Sequence, residues 1–213
     1  VTFANNRNRV TAMDETCLAS LNNEFNRNNG SYLSRVELNY ALGSIYGFRY
    51  LGVYQYSDYS AEEVPGVSGP NAPVVRDKDG IVILDENQMT KPMMFCAGSV
   101  NYEFRGGDAI YDDINHDGTI DELDIVYLGS SLPKVTGGWG FKLRWGRLSW
   151  NNQFNFRYGN KIINRVRMNA ENMYSNNNQS RAVNWRWRVE GDDARIPRAL
   201  RQHGYNWLGS DRF

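Results

Sequence analysis

The chain has 213 residues, with 24 basic and 24 acidic side chains and a formal net charge of zero. That length suffices for one large domain or two small ones, and the charge balance argues against a nucleic-acid partner, which a basic excess would favour. Hydrophobic residues at 41%, aromatics at 13% and abundant glycine and asparagine point to an all-β chain with long polar loops. No run reaches the roughly 18–20 apolar residues of a membrane helix. No leader peptide is visible, and a start at Val1 is expected of a mature chain or a piece of one. Cys17 and Cys96 are far apart at no metal-like spacing, so a disulfide and two free thiols both remain open.

In chain order, residues 1–54 carry the first strand signals. In "SYLSRVELNYAL", Tyr32, Val36, Leu38, Tyr40 and Leu42 alternate with Leu33, Arg35, Glu37, Asn39 and Ala41, which predicts a strand of period two. The upstream "NNEFNRNNGS" reads as a loop. In "GSIYGFRYLGVYQY", Gly43, Gly47 and Gly52 fall among aromatics, where glycine predicts bulges or bends. Residues 55–107 are weakly patterned, with a turn-rich "EEVPGVSGPNAP" and one short strand, "IVILDE", after the Asp79–Gly80 turn. They are expected to form an insertion on a scaffold.

Residues 108–133 hold an acidic loop, "DDINHDGTIDELD". Counted from Asp113 as position one, Asn115 is three, Asp117 five, Gly118 six, Thr119 seven, Asp121 nine and Asp124 twelve. This is the calcium-loop spacing. Ca²⁺ takes six to eight oxygens at about 2.3–2.6 Å, and alternate residues of a tight loop can point theirs inward. Asp113, Asn115, Asp117, the Thr119 carbonyl, Asp121 and Asp124 are the expected ligands. Asp124 is shorter than the usual glutamate, so the loop must fold more tightly to use it. Gly118 makes the turn, Ile120 anchors the loop on a core, and His116 faces solvent. "SVNYEFRGGDAIY" ahead of it reads as extended, so a structural ion is expected, outside an EF-hand helix pair.

Residues 134–164 give the clearest strand signal, "VTGGWGFKLRWGRLSWNNQFNFRYGN". Trp139, Phe141, Leu143 and Trp145 alternate with Gly138, Gly140, Lys142 and Arg144. After Gly146-Arg147, Leu148, Trp150, Phe154, Phe156 and Tyr158 alternate with polar residues. Gly-X at a two-residue loop suits a type II′ turn. That turn pairs Trp145 with Leu148, Leu143 with Trp150 and Trp139 with Phe154, keeping the apolar set on one face. Arms of about ten residues suit a transmembrane barrel with apolar residues toward lipid, while a half-solvated soluble sheet alternates in the same way. Residues 165–213 are expected to be an extracellular loop. There Trp185, Arg186 and Trp187 could present a paired aromatic surface to a sugar or protein, although ordinary packing of the loop is the favoured reading.

Taken together, "GGDAIYDDINHDGTIDELDIVYLGSSLPKVTGGWGFKLRWGRLSWNNQFNF" resembles the SusC/RagA family of TonB-dependent outer-membrane transporters of Bacteroidetes. The resemblance rests on Gly107-Asp108, the Asp113 to Asp124 loop, Gly129 through Pro133-Lys134, the aromatic strand from Trp139, and "LGSIYGFRYLGVYQY" and "YGNKIIN" on either side. It implies antiparallel strands from the C-terminal part of a large transmembrane β-barrel, with a plug, about 22 strands in the whole, and import of glycans or peptides. The implied partners are a SusD-like surface lipoprotein, TonB and outer-membrane lipid. A secreted calcium-stabilised β-rich binding or adhesion module is the alternative; it would fit a dockerin only with a second loop, of which "DKDG" has a fragment. An enzyme is not expected. The histidines are His116 and His203, Asp192 and Asp193 are adjacent, and no nucleophile or phosphate-loop motif occurs.

Overall fold

A computed structural model describes residues 1–17, 36–55, 73–84, 86–87, 90–97, 100–174, 176–201 and 205–213. The loop expected at 22–31, most of the turn-rich 62–73 stretch, residues 32–35 of the first expected strand, Asp85 of "IVILDE" and His203 lie outside the described residues. The described chain divides into two compact units. One draws on residues 1–17, 36–46 and 127–163, the other on 47–126 and 164–213.

Strands predominate. They are β1 (Thr2–Asn5), β2 (Ser44–Gly47), β3 (Tyr50–Val53), β4 (Met94–Ala97), β5 (Val100–Glu103), β6 (Ala109–Tyr111), β7 (Thr119–Ile120), β8 (Val126–Ser130), β9 (Val135–Trp145) and β10 (Leu148–Tyr158). A helix, α1 (Arg165–Glu171), and short 3-10 turns interrupt the loops. The strands are ordered β1-β9-β10, β2-β8, β3-β6 and β5-β4-β7 in four small sheets. None of these closes into a barrel among the described residues.

The first unit is built on the β9–β10 hairpin. Its register pairs Trp145 with Leu148, Leu143 with Trp150 and Trp139 with Phe154, as the alternation predicts. Gly146 takes φ +58° while Arg147 stays out of the positive-φ region, which fits a type II′ turn. The Trp139 ring stacks on Phe154 at 4.6 Å between centroids, and Phe141 meets Trp150 edge-on at 5.6 Å. The apolar face has a polar member, Asn152, opposite Phe141. Beyond Gly138 this face is open, with Trp145 82% and Trp150 59% exposed. The buried hydrophobic side chains of this unit, among the described residues, are Ile45 and Tyr46.

β1 carries no period-two signal, and it joins the sheet by backbone pairing from Thr2↔Gly138 to Asn5↔Val135. The glycines of β9 allow the close approach. A Cβ on Gly137 would lie 2.7 Å from the Thr2 carbonyl oxygen and 2.6 Å from the Phe156 ring. The strand expected at 32–42 is corrected over its described part. Residues 36–43 form turns, with Asn39 at φ +74°. Loop 8–10 takes up their backbone groups: Val10 N–H donates to the Tyr40 carbonyl, Asn39 N–H to the Val10 carbonyl, and Leu42 N–H to Asn8 Oδ1. These long-range bonds satisfy backbone groups that a strand without a partner would leave open.

The second unit holds the main core, in which Phe48, Val75, Phe95, Phe104, Ala109, Tyr111, Ile120 and Leu208 are almost wholly buried. Val75, Met93, Phe95 and Phe104 come from 55–107, so that stretch supplies core as well as surface. "IVILDE" pairs through isolated bridges, Arg76↔Val82 about the Asp79–Gly80 turn and Leu84↔Thr90 on its far side. The bulge expected among the glycines occurs in β3, where the register against β6 shifts between Tyr50 and Gly52. The C-terminal residues pack a second cluster of Met173, Val183, Ile196 and Trp207. No disulfide joins Cys17 and Cys96.

Candidate calcium loop

The acidic loop hangs from the second core. Ile120 is 0% exposed and packs in that core, as expected of position eight. β7 pairs in parallel with β4, Met94 facing Thr119 and Phe95 facing Ile120. Gly118 turns the chain at φ +82°. A Cβ there would lie 2.1 Å from the Val75 side chain, so the position is closed to any other residue. His116, at φ +56°, is exposed.

The carboxylates cap the loop's own backbone. Asp113 Oδ2 accepts the Gly118 N–H at 2.8 Å, Asn115 Oδ1 the Asp117 N–H at 3.1 Å, and Asp117 Oδ1 the Thr119 N–H at 2.7 Å. Asp121 Oδ1 accepts the Leu123 N–H at 2.7 Å. Asp124, fully buried, spends one oxygen on the Ile114 N–H and the other on the Asp121 N–H, at 2.8 and 2.9 Å. Burial pushes its pKa up to about 6, against the pull of those two amides. The crowded charge therefore has compensation in hand. The Lys91 ammonium donates to the Asp117 carbonyl, and Arg49 pairs with Asp112 at 2.9 Å.

Among the described residues no three His, Cys, Asp or Glu side chains gather into a ligand cluster. One side-chain oxygen of the loop is left without a partner. Asp113 Oδ1 is buried with no hydrogen-bond partner, an unmet acceptor at position one. Asp117 Oδ2 also accepts from Asn115 Nδ2 at 2.9 Å, and the oxygens of Asn115, Asp117 and Asp121 each keep a second lone pair. The donor set is all oxygen, which suits a hard cation. Asp124 instead closes the loop as a reciprocal cap with Asp121.

Trp185 and Trp187 differ in their surroundings, and Trp187 packs as the favoured reading has it. Trp185 is 70% exposed, but Trp187 is buried, its indole N–H bonded to Gln55 Oε1 at 2.9 Å. Its ring lies flat on Gly107, where a Cβ would come within 2.3 Å. Arg186 turns to the Val183 carbonyl at 3.2 Å. The glycine ahead of Asp108 thus exists to seat Trp187, a reason invisible in the spacing of the two residues.

Asp108 itself is the residue that sequence reasoning undervalued. It is 0% exposed and gathers five donors. These are the Tyr102 hydroxyl at 2.7 Å, Arg105 N–H at 2.9 Å, Arg198 Nε and Nη2 at 2.7 and 3.3 Å, and Asn206 Nδ2 at 3.1 Å. Burial, with the Asp108 charge, raises the Tyr102 pKa and keeps that hydroxyl a donor. The same Asn206 accepts the Ala109 N–H through Oδ1. This knot ties the entry to the acidic loop to the C-terminal segment. The Gly107-Asp108 pair was the available signal.

No protein-family model matches the chain. It is 28% identical over 198 residues to the TonB-dependent receptor P39 of Formosa agariphila, an alignment covering 86% of this chain and 18% of that receptor. The chain thus spans about a fifth of the length of the curated relative it matches. That relative is named a receptor, in agreement with the expectation that the chain is no enzyme. The similarity relates the chain to part of a TonB-dependent receptor.

Proposed function

We propose that the chain is a wall segment, with extracellular loops, of a TonB-dependent outer-membrane transporter of the SusC/RagA kind. The β9–β10 hairpin carries this reading. A small sheet with one bare aromatic face is marginal in water, and a contiguous exposed apolar patch of this extent marks a protein or membrane contact. Eleven residues per strand, at about 3.3 Å each, extend about 36 Å, and tilted by about 35–45° they cover the apolar band of about 25 Å of an outer-membrane barrel. The edges of the β1-β9-β10 sheet would pair with further strands of the barrel.

In this reading the transporter imports glycans or peptides. A SusD-like lipoprotein covers its outer mouth, and TonB acts on a plug formed by other parts of the polypeptide. The loop from Asp113 to Asp124 holds a structural Ca²⁺, with Asp113 Oδ1 as its first ligand oxygen. The ion's contribution is to fix the loop, not to react. Peptide mapping and intact mass of the protein from its native membrane fraction test the reading. A membrane polypeptide several times longer than 213 residues that contains these peptides is expected. A soluble species of the present length would replace transport with a secreted calcium-stabilised module.

A further inference from the structure

The first unit contains a cationic cleft that neither the calcium loop nor the transport reading uses. It is a cavity of about 330 Å³ lined by Arg7, Lys134, Lys161, Asn6, Asn8 and Tyr127, among others, and by no carboxylate among the described residues. No ion pair engages the three cations among the described residues. Arg7, Lys134 and Lys161 are exposed, so water screens their mutual repulsion, while their summed positive potential attracts anions to the concavity.

The two lysines are built in. A Cβ on Gly159 would lie 3.0 Å from Lys134 Cγ, and one on Gly129 would lie 2.5 Å from Lys161 Cγ. Each lysine stem therefore runs across a glycine. Their backbones are anchored as well: Lys134 N–H donates to the Tyr158 carbonyl at 2.9 Å, and Lys161 N–H to the Ser130 carbonyl at 2.7 Å. The Asn8 side-chain carbonyl is taken by the Leu42 N–H, which leaves its amide hydrogens as donors.

We propose that this cleft binds a phosphate-like oxyanion group, with Lys134, Lys161 and Arg7 as the charged donors and Asn6 and Asn8 as neutral ones. Several donors around one point suit a group with three or more equivalent oxygens. Such a group can come from a soluble phosphate ester or from a lipid headgroup.

The test titrates glycerol 3-phosphate into the full-length protein and follows the ³¹P resonance. A second arm compares the melting temperature in nanodiscs of phosphatidylcholine with and without phosphatidylglycerol. In the parent, the ester resonance should broaden. Lys134→Gln with Lys161→Gln should weaken binding about a hundredfold, the loss of two charge-assisted hydrogen bonds at about tenfold each. Lys134→Arg with Lys161→Arg should retain binding, and Lys142→Gln, on β9 outside the cleft, should change nothing. Stabilisation by phosphatidylglycerol alone, lost in the double glutamine variant and kept in the double arginine variant, would assign the same site to a headgroup. No response in either arm, or equal binding by parent and double glutamine variant, overturns the proposal. These readouts involve neither calcium nor transport, so they stand or fall apart from both.

Discussion

Asp108→Ala should cost the second unit much of its stability. The substitution removes a fully buried carboxylate that meets five donors and pairs with Arg198 at 2.7 Å. Breaking a buried pair by deleting one member costs about 3–5 kcal/mol. The Arg198 side chain is 29% exposed, so part of its charge regains water and the lower end, about 3 kcal/mol, applies. Domains hold about 5–15 kcal/mol in total, and each kcal/mol moves the melting point by about 2–4 °C at this size. The expected fall is therefore about 6–12 °C. Trp207 and Trp187, both buried in that unit, report it by fluorescence during thermal unfolding. Asp108→Leu combined with Arg198→Met should recover a good part of the loss, because no buried charge is then stranded. A fall of less than about 1 kcal/mol for Asp108→Ala, or strict additivity of the pair, would refute the role assigned to this knot.

Calcium should raise the melting temperature and EDTA should reverse it, with Asp117→Ala abolishing the difference; equal melts in both buffers would remove the metal. The calcium effect should fade in acid, because protons compete with the ion for carboxylate oxygens. Without metal the sign is opposite. A carboxyl raised in the fold contributes stability that is present below its unfolded pKa and lost as pH rises toward about 6. Melting curves across that range, with and without calcium, separate the two. Trp150→Asp, on the open aromatic face, should block assembly into membranes; a folded, soluble variant would contradict the lipid-facing assignment. Gly107→Ala forces a Cβ to within 2.3 Å of the Trp187 ring at φ +85°. It should destabilise by about 2–4 kcal/mol through overpacking and backbone strain, and a melt within 1 °C of the parent would show that Trp187 has room to move.

The hairpin was legible because its information is local. Period-two alternation, a glycine at a two-residue turn and matching aromatic positions specify one register, since a slip by one residue would turn Trp139, Leu143 and Trp150 to the polar face. The loop from Asp113 to Asp124 was legible for a related reason. Its ligand spacing, Gly118 and Ile120 are all set within a dozen residues. What spacing did not reveal is that Asp124 would be spent on capping two amides, because that depends on where Ile114 and Asp121 lie once the chain has turned.

Other features depended on partners distant in sequence. The alternation at 36–42 suggested a strand, but a strand needs a neighbour to complete its ladder, and loop 8–10 took the backbone bonds instead. β1 has almost no pattern of its own and exists because Gly137 and Gly138 of β9 admit a backbone alongside. Trp187 carried the composition of a recognition surface and was drawn inside by Gly107 and Gln55.

By itself, then, the sequence determined the β9–β10 register, its aromatic face and the oxygen-rich loop, all products of short-range periodicity and turn chemistry. Tertiary structure decided that residues of 55–107 would build the core. It also decided that Asp108 would bind Arg198 and Asn206 at separations of 90 and 98 residues, and that Lys134, Lys161 and Arg7 would share a cleft. Such contacts join residues with no mutual spacing rule. They form only after the loops between them have been closed against their entropy, so no local pattern records them.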